Sequence, residues 1–89
     1  MISKADKSRI VDLGKQFRAT RIVLFGSSTQ SDRESRDIDI AVEGVPDRLF
    51  FKFYGALIAA LSKPVDLVDL GRESPFTRLI ARDGVALYG

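Results

Sequence analysis

"LFGSSTQSDRESRDIDIAVEG", from Leu24 to Gly44, is the stretch on which the reading of the chain turns. An apolar run ends in Gly26–Ser27, a polar segment follows, and Asp37 and Asp39 then stand one residue apart in a second apolar run. "DIDIAVE" (Asp37–Glu43) alternates with the period of a strand, placing Ile38, Ile40 and Val42 on one face and Asp37, Asp39 and Ala41 on the other. Strands disfavour Asp, and two like charges on one face repel. The pair therefore asks for a chemical reason.

Working outward, "RIVLFG" (Arg21–Gly26) is a β-branched and aromatic run closed by glycine, which predicts a buried strand. Ser27–Arg36 is small, polar or charged and predicts a loop, or a loop with one helical turn. Upstream, Ser3 with Asp6 three positions later resembles a capping box. Behind it Ile10, Val11, Leu13, Gly14 and Phe17 follow helical spacing, predicting a helix from about Lys4 to Arg18. Downstream, Pro46 and Asp47 open a second helix that runs to Ser62. That helix is apolar almost all round, which predicts burial on more than one side, with Gly55 serving close packing on the sheet. Pro64 stops it, and "VDLVDL" (Val65–Leu70) predicts a third strand. Ser74–Pro75 caps a last helix that Gly84 terminates, and "VALYG" closes the chain with Tyr88 as a packing anchor.

The expected order is α-β-β-α-β-α in one domain, residues 1–89: a small α/β (α+β) fold, its short mixed sheet packed by helices in a three-layer-like arrangement. The 45% apolar content suits a packed core rather than disorder. At 89 residues that core is modest, so a homo- or hetero-oligomeric partner is compatible with it. The greasy segment Leu49–Leu61 is too short to span a bilayer and contains Lys52, and the start lacks the apolar core of a signal peptide. A cytoplasmic protein is the expectation.

There is no cysteine and no histidine. Thiolate metal sites and imidazole acid–base chemistry are excluded, so any such chemistry falls on carboxylates. Nine arginines stand against five lysines at a net charge of +2, which permits a phosphate-bearing partner. No block of like charges forms a basic tail, so direct nucleic-acid binding is not expected.

Residues i and i+2 of a strand lie on one face with Cα atoms roughly 6.6 Å apart, so their carboxylates can converge on one cation or on a pair about 3.5–4 Å apart. A hard cation such as Mg²⁺ answers the charge problem. Gly26–Ser27 at a strand end lets backbone approach a ligand, and a turn into a short helix there would aim amides at phosphate. A phosphate cradle beside a carboxylate pair suggests metal-assisted phosphoryl or nucleotidyl transfer.

"LFGSS…RDIDIAVEG" followed by "PVDLVDL" resembles the minimal nucleotidyltransferase (MNT) branch of the DNA polymerase β-like superfamily. The resemblance rests on Gly26, Ser27, Asp37, Asp39 and Asp66 and extends over nearly the whole chain, including the ending "DGVALYG". It implies Asp37, Asp39 and Asp66 as catalytic and metal-ligating residues for two Mg²⁺ ions. Gly26, Ser27 and Ser28 would bind the phosphates of a nucleotide, usually ATP. Asp69 lies on the opposite strand face from Asp66 and reads as a strand-end residue.

Short members of that family act as antitoxins beside a HEPN-domain toxin, so the resemblance implies AMP transfer from ATP to a tyrosine hydroxyl of such a partner. Many members carry Arg directly after Gly-Ser; here Ser28, Thr29 and Gln30 follow, with Arg33 and Arg36 the cations available in their place. That departure motivates a second expectation, a catalytically weak or inactive antitoxin that neutralises its partner by binding. A small-molecule nucleotidyltransferase is the third, disfavoured because there is no extra domain to hold the acceptor.

Overall fold

The computed structural model describes residues 2–26 and 36–89. Helix α1 (Lys4–Gln16) starts at Ser3, whose side chain accepts a hydrogen bond from the Asp6 amide. Asp6 does not complete a capping box with Ser3. Its carboxylate is buried and accepts from both the backbone N–H and the hydroxyl of Ser62. One acidic side chain thus ties the first turn of α1 to the segment leaving the second helix. The chain leaves α1 through Arg18 at φ +69°, with the Ala19 amide bonded to Gly14 O, so the helix ends shortly before the expected boundary.

Strand β1 (Arg21–Leu24) pairs antiparallel with β2 (Ile38–Glu43). Helix α2 (Asp47–Ala60) then crosses over to β3 (Val65–Asp69), which lies parallel to β2. Parallel neighbours cannot be joined by a tight turn, and α2 is the required long connection. Helix α3 (Pro75–Asp83) is held by a full capping box, Ser74 and Thr77 exchanging bonds, with Pro75 in its first turn and Gly84 at its end.

The last residues depart from expectation. "VALY" is not a mere closing anchor but a fourth strand, β4 (Val85–Tyr88), antiparallel to β1. The sheet order is β3-β2-β1-β4. Tyr88 still packs, against the main core and beneath the Lys15 ammonium 5.8 Å from its ring centre.

The alternation read from Asp37–Glu43 governs the two faces of the sheet. Ile22, Leu24, Ile38, Ile40 and Val42 join Ile10, Phe53 and Leu57 in the main core beneath α1 and α2. Val23 and Ala41 face the other way and meet Ile80 of α3. The architecture is therefore a mixed four-stranded sheet between two helical layers. Asp37, Asp39 and Asp66 share the parity of the α3 face, but they lie towards the β2–β3 side.

α2 does not behave as its composition suggests. Only Phe53 and Leu57 within it are buried, while Phe51 is 83% and Ile58 57% exposed. A helix in the outer layer has one face on the sheet and a flank on α1, and among the described residues nothing covers its far side. Gly55 lies on that open side: a Cβ there would meet no atom within 4 Å. It serves no close packing on the sheet. Gly55→Ala is therefore expected to stabilise the chain by about 1 kcal/mol, raising Tm by about 4–8 °C. Thermal denaturation of the variant checks this, and an unchanged or lower Tm would contradict the open-side placement.

Candidate active site

Strand β2 delivers Asp39, and Asp37 immediately precedes it. The parallel register sets Asp39 directly opposite Asp66 on β3, so the two carboxylates stand abreast on one face and share a hydrogen bond. Asp39 is half-buried, while Asp37 and Asp66 are exposed. The Asp39 carboxyl is pushed above its ordinary value, chiefly by burial, then by the charges of Asp66 and Asp37, and by the hydrogen bond with Asp66.

The end of β1 comes down onto this pair. The Phe25 amide donates to Asp39 O at 3.1 Å. Gly26 follows at φ +63°, and a Cβ built there would lie 2.6 Å from Asp39 Oδ2. A glycine is required both by the left-handed backbone and by the carboxylate against it. Ser27, Ser28 and Arg33 lie outside the described residues. Arg36 is exposed, and Glu43 sits exposed at the far end of β2, opposite Arg21. Asp69 takes no part: it accepts from the Gly71 amide at 2.8 Å and approaches Arg72 at 3.8 Å, as a residue that shapes the turn after β3.

The donor set fits a hard divalent cation. Its ligands are carboxylate oxygens only, and their mutual repulsion is what a cation would relieve. Among the described residues no group of three or more acidic side chains is gathered closely enough to hold a metal ion by itself.

Because the raised carboxyl of Asp39 binds its proton more tightly folded than unfolded, the stability that this proton contributes is complete below the unfolded value of about 3.9. It is lost as pH rises through the higher folded value. In chelator, Asp39→Asn should therefore gain Tm relative to the parent as pH rises from about 4 towards 7. A parent–variant difference that stays flat with pH would sink this expectation.

A second feature escaped the sequence. Beside Gly26, on the side away from Asp66, the end of β1 and α3 enclose a recess of about 280 Å³. Phe25, Phe76, Leu79 and Ile80 line it, with Phe25 and Phe76 edge to face at 5.9 Å between ring centres. The signal was the apolar pair Phe76 and Leu79 at helical spacing, which reads as core-facing but is half exposed.

Scanning the chain against protein-family models gives no match, and neither does comparison with curated protein sequences. Solved structures do match. A toxin–antitoxin crystallised with AMP-PNP is 30% identical, with a TM-score of 0.76 over 93% of this chain and 73% of that one. The antitoxin–toxin pair MntA–HepT is 27% identical, with a TM-score of 0.73 over 98% of this chain and 73% of that one. A tri-AMPylated Shewanella oneidensis HEPN toxin in complex with MNT antitoxin is 29% identical, with a TM-score of 0.72 over 94% and 70%. The four-stranded mixed sheet with its three helices is thus the fold of nucleotidyltransferase-type antitoxins. The chain belongs to the MNT antitoxin family. Among the described residues no helix is long and apolar enough to cross a membrane.

Proposed function

We propose that the chain is a Mg²⁺-dependent nucleotidyltransferase that moves AMP from ATP to a tyrosine hydroxyl of a partner HEPN toxin and so silences it. The observation that carries the reading is the convergence of Asp39 and Asp66, abreast in register, with Gly26 backed against the Asp39 carboxylate. An AMP-PNP complex and an AMPylated toxin among similar structures support it. The setting is the cytoplasm, where ATP is available.

Asp37, Asp39 and Asp66 would hold Mg²⁺, two ions in all. Bound there, the metal supplies charge stabilisation and orientation for the triphosphate rather than covalent chemistry. The Gly26 backbone, with Ser27 and Ser28, binds phosphate oxygens and fixes the α-phosphorus against the carboxylates. The acceptor hydroxyl attacks that phosphorus in line, forming the new O–P bond as the bond to the bridging oxygen breaks and pyrophosphate leaves. Asp66, exposed at the edge strand β3, accepts the hydroxyl proton. Most of the rate then comes from positioning and electrostatics.

One observation favours a second reading. Ser28, Thr29 and Gln30 follow Gly26–Ser27 in place of the arginines usual in the family, so neutralisation by binding alone would need no triphosphate contact. The two readings part in one assay. The chain is incubated with its HEPN toxin, Mg²⁺ and ATP labelled at the α-phosphate. Label on the toxin is the expected result. A toxin silenced without label would establish binding alone.

A further inference from the structure

We propose that the flank of α2 formed by Phe51, Tyr54 and Ile58 docks the protein that carries the acceptor hydroxyl. The proposal rests on the nucleotidyl-transfer reading and adds to it the place where that protein is held.

The three residues follow one another at three and four positions, so helical spacing puts them on one flank of α2. Phe51 is 83% and Ile58 57% exposed, an apolar stripe rather than scattered single residues. Phe50 packs on the main core and meets the Phe51 ring edge to face, 5.9 Å between ring centres, which gives the exposed ring a fixed backing.

The position of the stripe says what covers it. The Tyr54 hydroxyl donates to Val65 O at 2.8 Å, which sets this flank beside the first residue of β3. β3 is an edge strand, and its next residue is the exposed Asp66, to which the acceptor hydroxyl must come. Asp66 shares the α3 face of the sheet, while α2 lies on the other. A molecule that reaches Asp66 and also touches α2 therefore straddles the edge of β3, which takes a folded protein with an apolar ridge rather than a small acceptor.

A second copy of this chain fits less well. Pairing α2 with its counterpart about a two-fold axis at Gly55 sets Phe51 against Ile58, but it also lines up the exposed Arg48 and Lys52 of both copies along one rim. Like charges brought together there weigh against the pairing. An aromatic side chain offers roughly 150–250 Å², so two large side chains fall short of the roughly 800 Å² per partner that a stable interface buries. The stripe must be one part of a larger contact, and the surface continuous with it is the β3 edge that leads to Asp66.

The test uses the whole chain and its HEPN toxin. Dissociation constants for the toxin are measured by titration calorimetry with the parent, Phe51→Ala and Ile58→Ala, and transfer of α-phosphate label is followed against toxin concentration. Phe51→Ala should weaken toxin binding about tenfold or more and Ile58→Ala about fivefold. KM for the toxin should rise in step, while kcat, the affinity for Mg²⁺–ATP and Tm stay at the parent values. Toxin affinity at the parent value in both variants overturns the docking surface, and label still transferred by them leaves the transferase reading intact. A parent that does not bind the toxin also overturns the surface. Self-association of the parent that Phe51→Ala abolishes, with toxin affinity unchanged, overturns it in favour of a second copy. Toxin binding that both variants weaken, with no label transferred even by the parent, supports the surface and overturns the transferase reading.

Discussion

Asp37→Asn combined with Asp39→Asn is expected to cut AMP transfer by about a thousandfold or more, with the fold retained. The reasoning is electrostatic. Asp39 is held above its ordinary value by burial and by its acidic neighbours, so in the absence of a cation this end of the sheet is destabilised by like charge. Neutral amides remove that repulsion and also remove the oxygens that would hold Mg²⁺. Activity and stability should therefore move in opposite directions, as expected where a site is kept at the expense of the scaffold. Transfer of α-phosphate label to the toxin and thermal denaturation in chelator are measured on the same preparation. Loss of transfer with a Tm equal to or above that of the parent is the expected result. Full activity in the double variant would remove the metal site, and loss of activity with a collapsed Tm would leave the aspartates a structural role instead.

The sequence made part of this arrangement legible and hid the rest for physical reasons. Strand parity alone puts Asp37 and Asp39 opposite Ile38, Ile40 and Val42, and the burial of those three residues obeys it. Pairing Asp39 with Asp66 is a different matter. It depends on how far α2 carries the chain before β3 begins, a register no local pattern encodes. β4 went unread because four residues at the sheet edge, with Val85 and Ala86 exposed, lack a clean alternation. α2 misled in the opposite sense: apolar composition reads as burial, but Phe51 and Ile58 occupy a side that neither the sheet nor α1 reaches. Asp6 likewise looked like half of a capping box, and only the return of the chain at Ser62 shows where its carboxylate is used.

Gly26→Ala is the sharper probe, because it leaves every charge in place. At φ +63° an alanine costs about 1–2 kcal/mol, and its Cβ would sit 2.6 Å from Asp39 Oδ2. The atom it strikes is the end of a side chain, so the carboxylate can swing aside and the chain still folds, with Tm lowered by about 4–8 °C per kcal/mol lost. Swinging aside is what the chemistry cannot absorb. A displacement on the order of 1 Å at a reacting centre can lower the rate about a hundredfold, and here the displaced group is the carboxylate between Gly26, the proposed phosphate position, and Asp66. Single-turnover transfer should fall by about that factor, and raising the Mg²⁺ concentration should restore only part of it, since on the proposed mechanism Asp39 would be a misplaced ligand rather than a missing one. Restoration of the parent rate at high Mg²⁺ would mean that Asp39 tolerates the shift. A parent-like rate at ordinary Mg²⁺ would mean that the contact between Gly26 and Asp39 has no part in catalysis, and the phosphate turn would then have to be sought elsewhere in the chain.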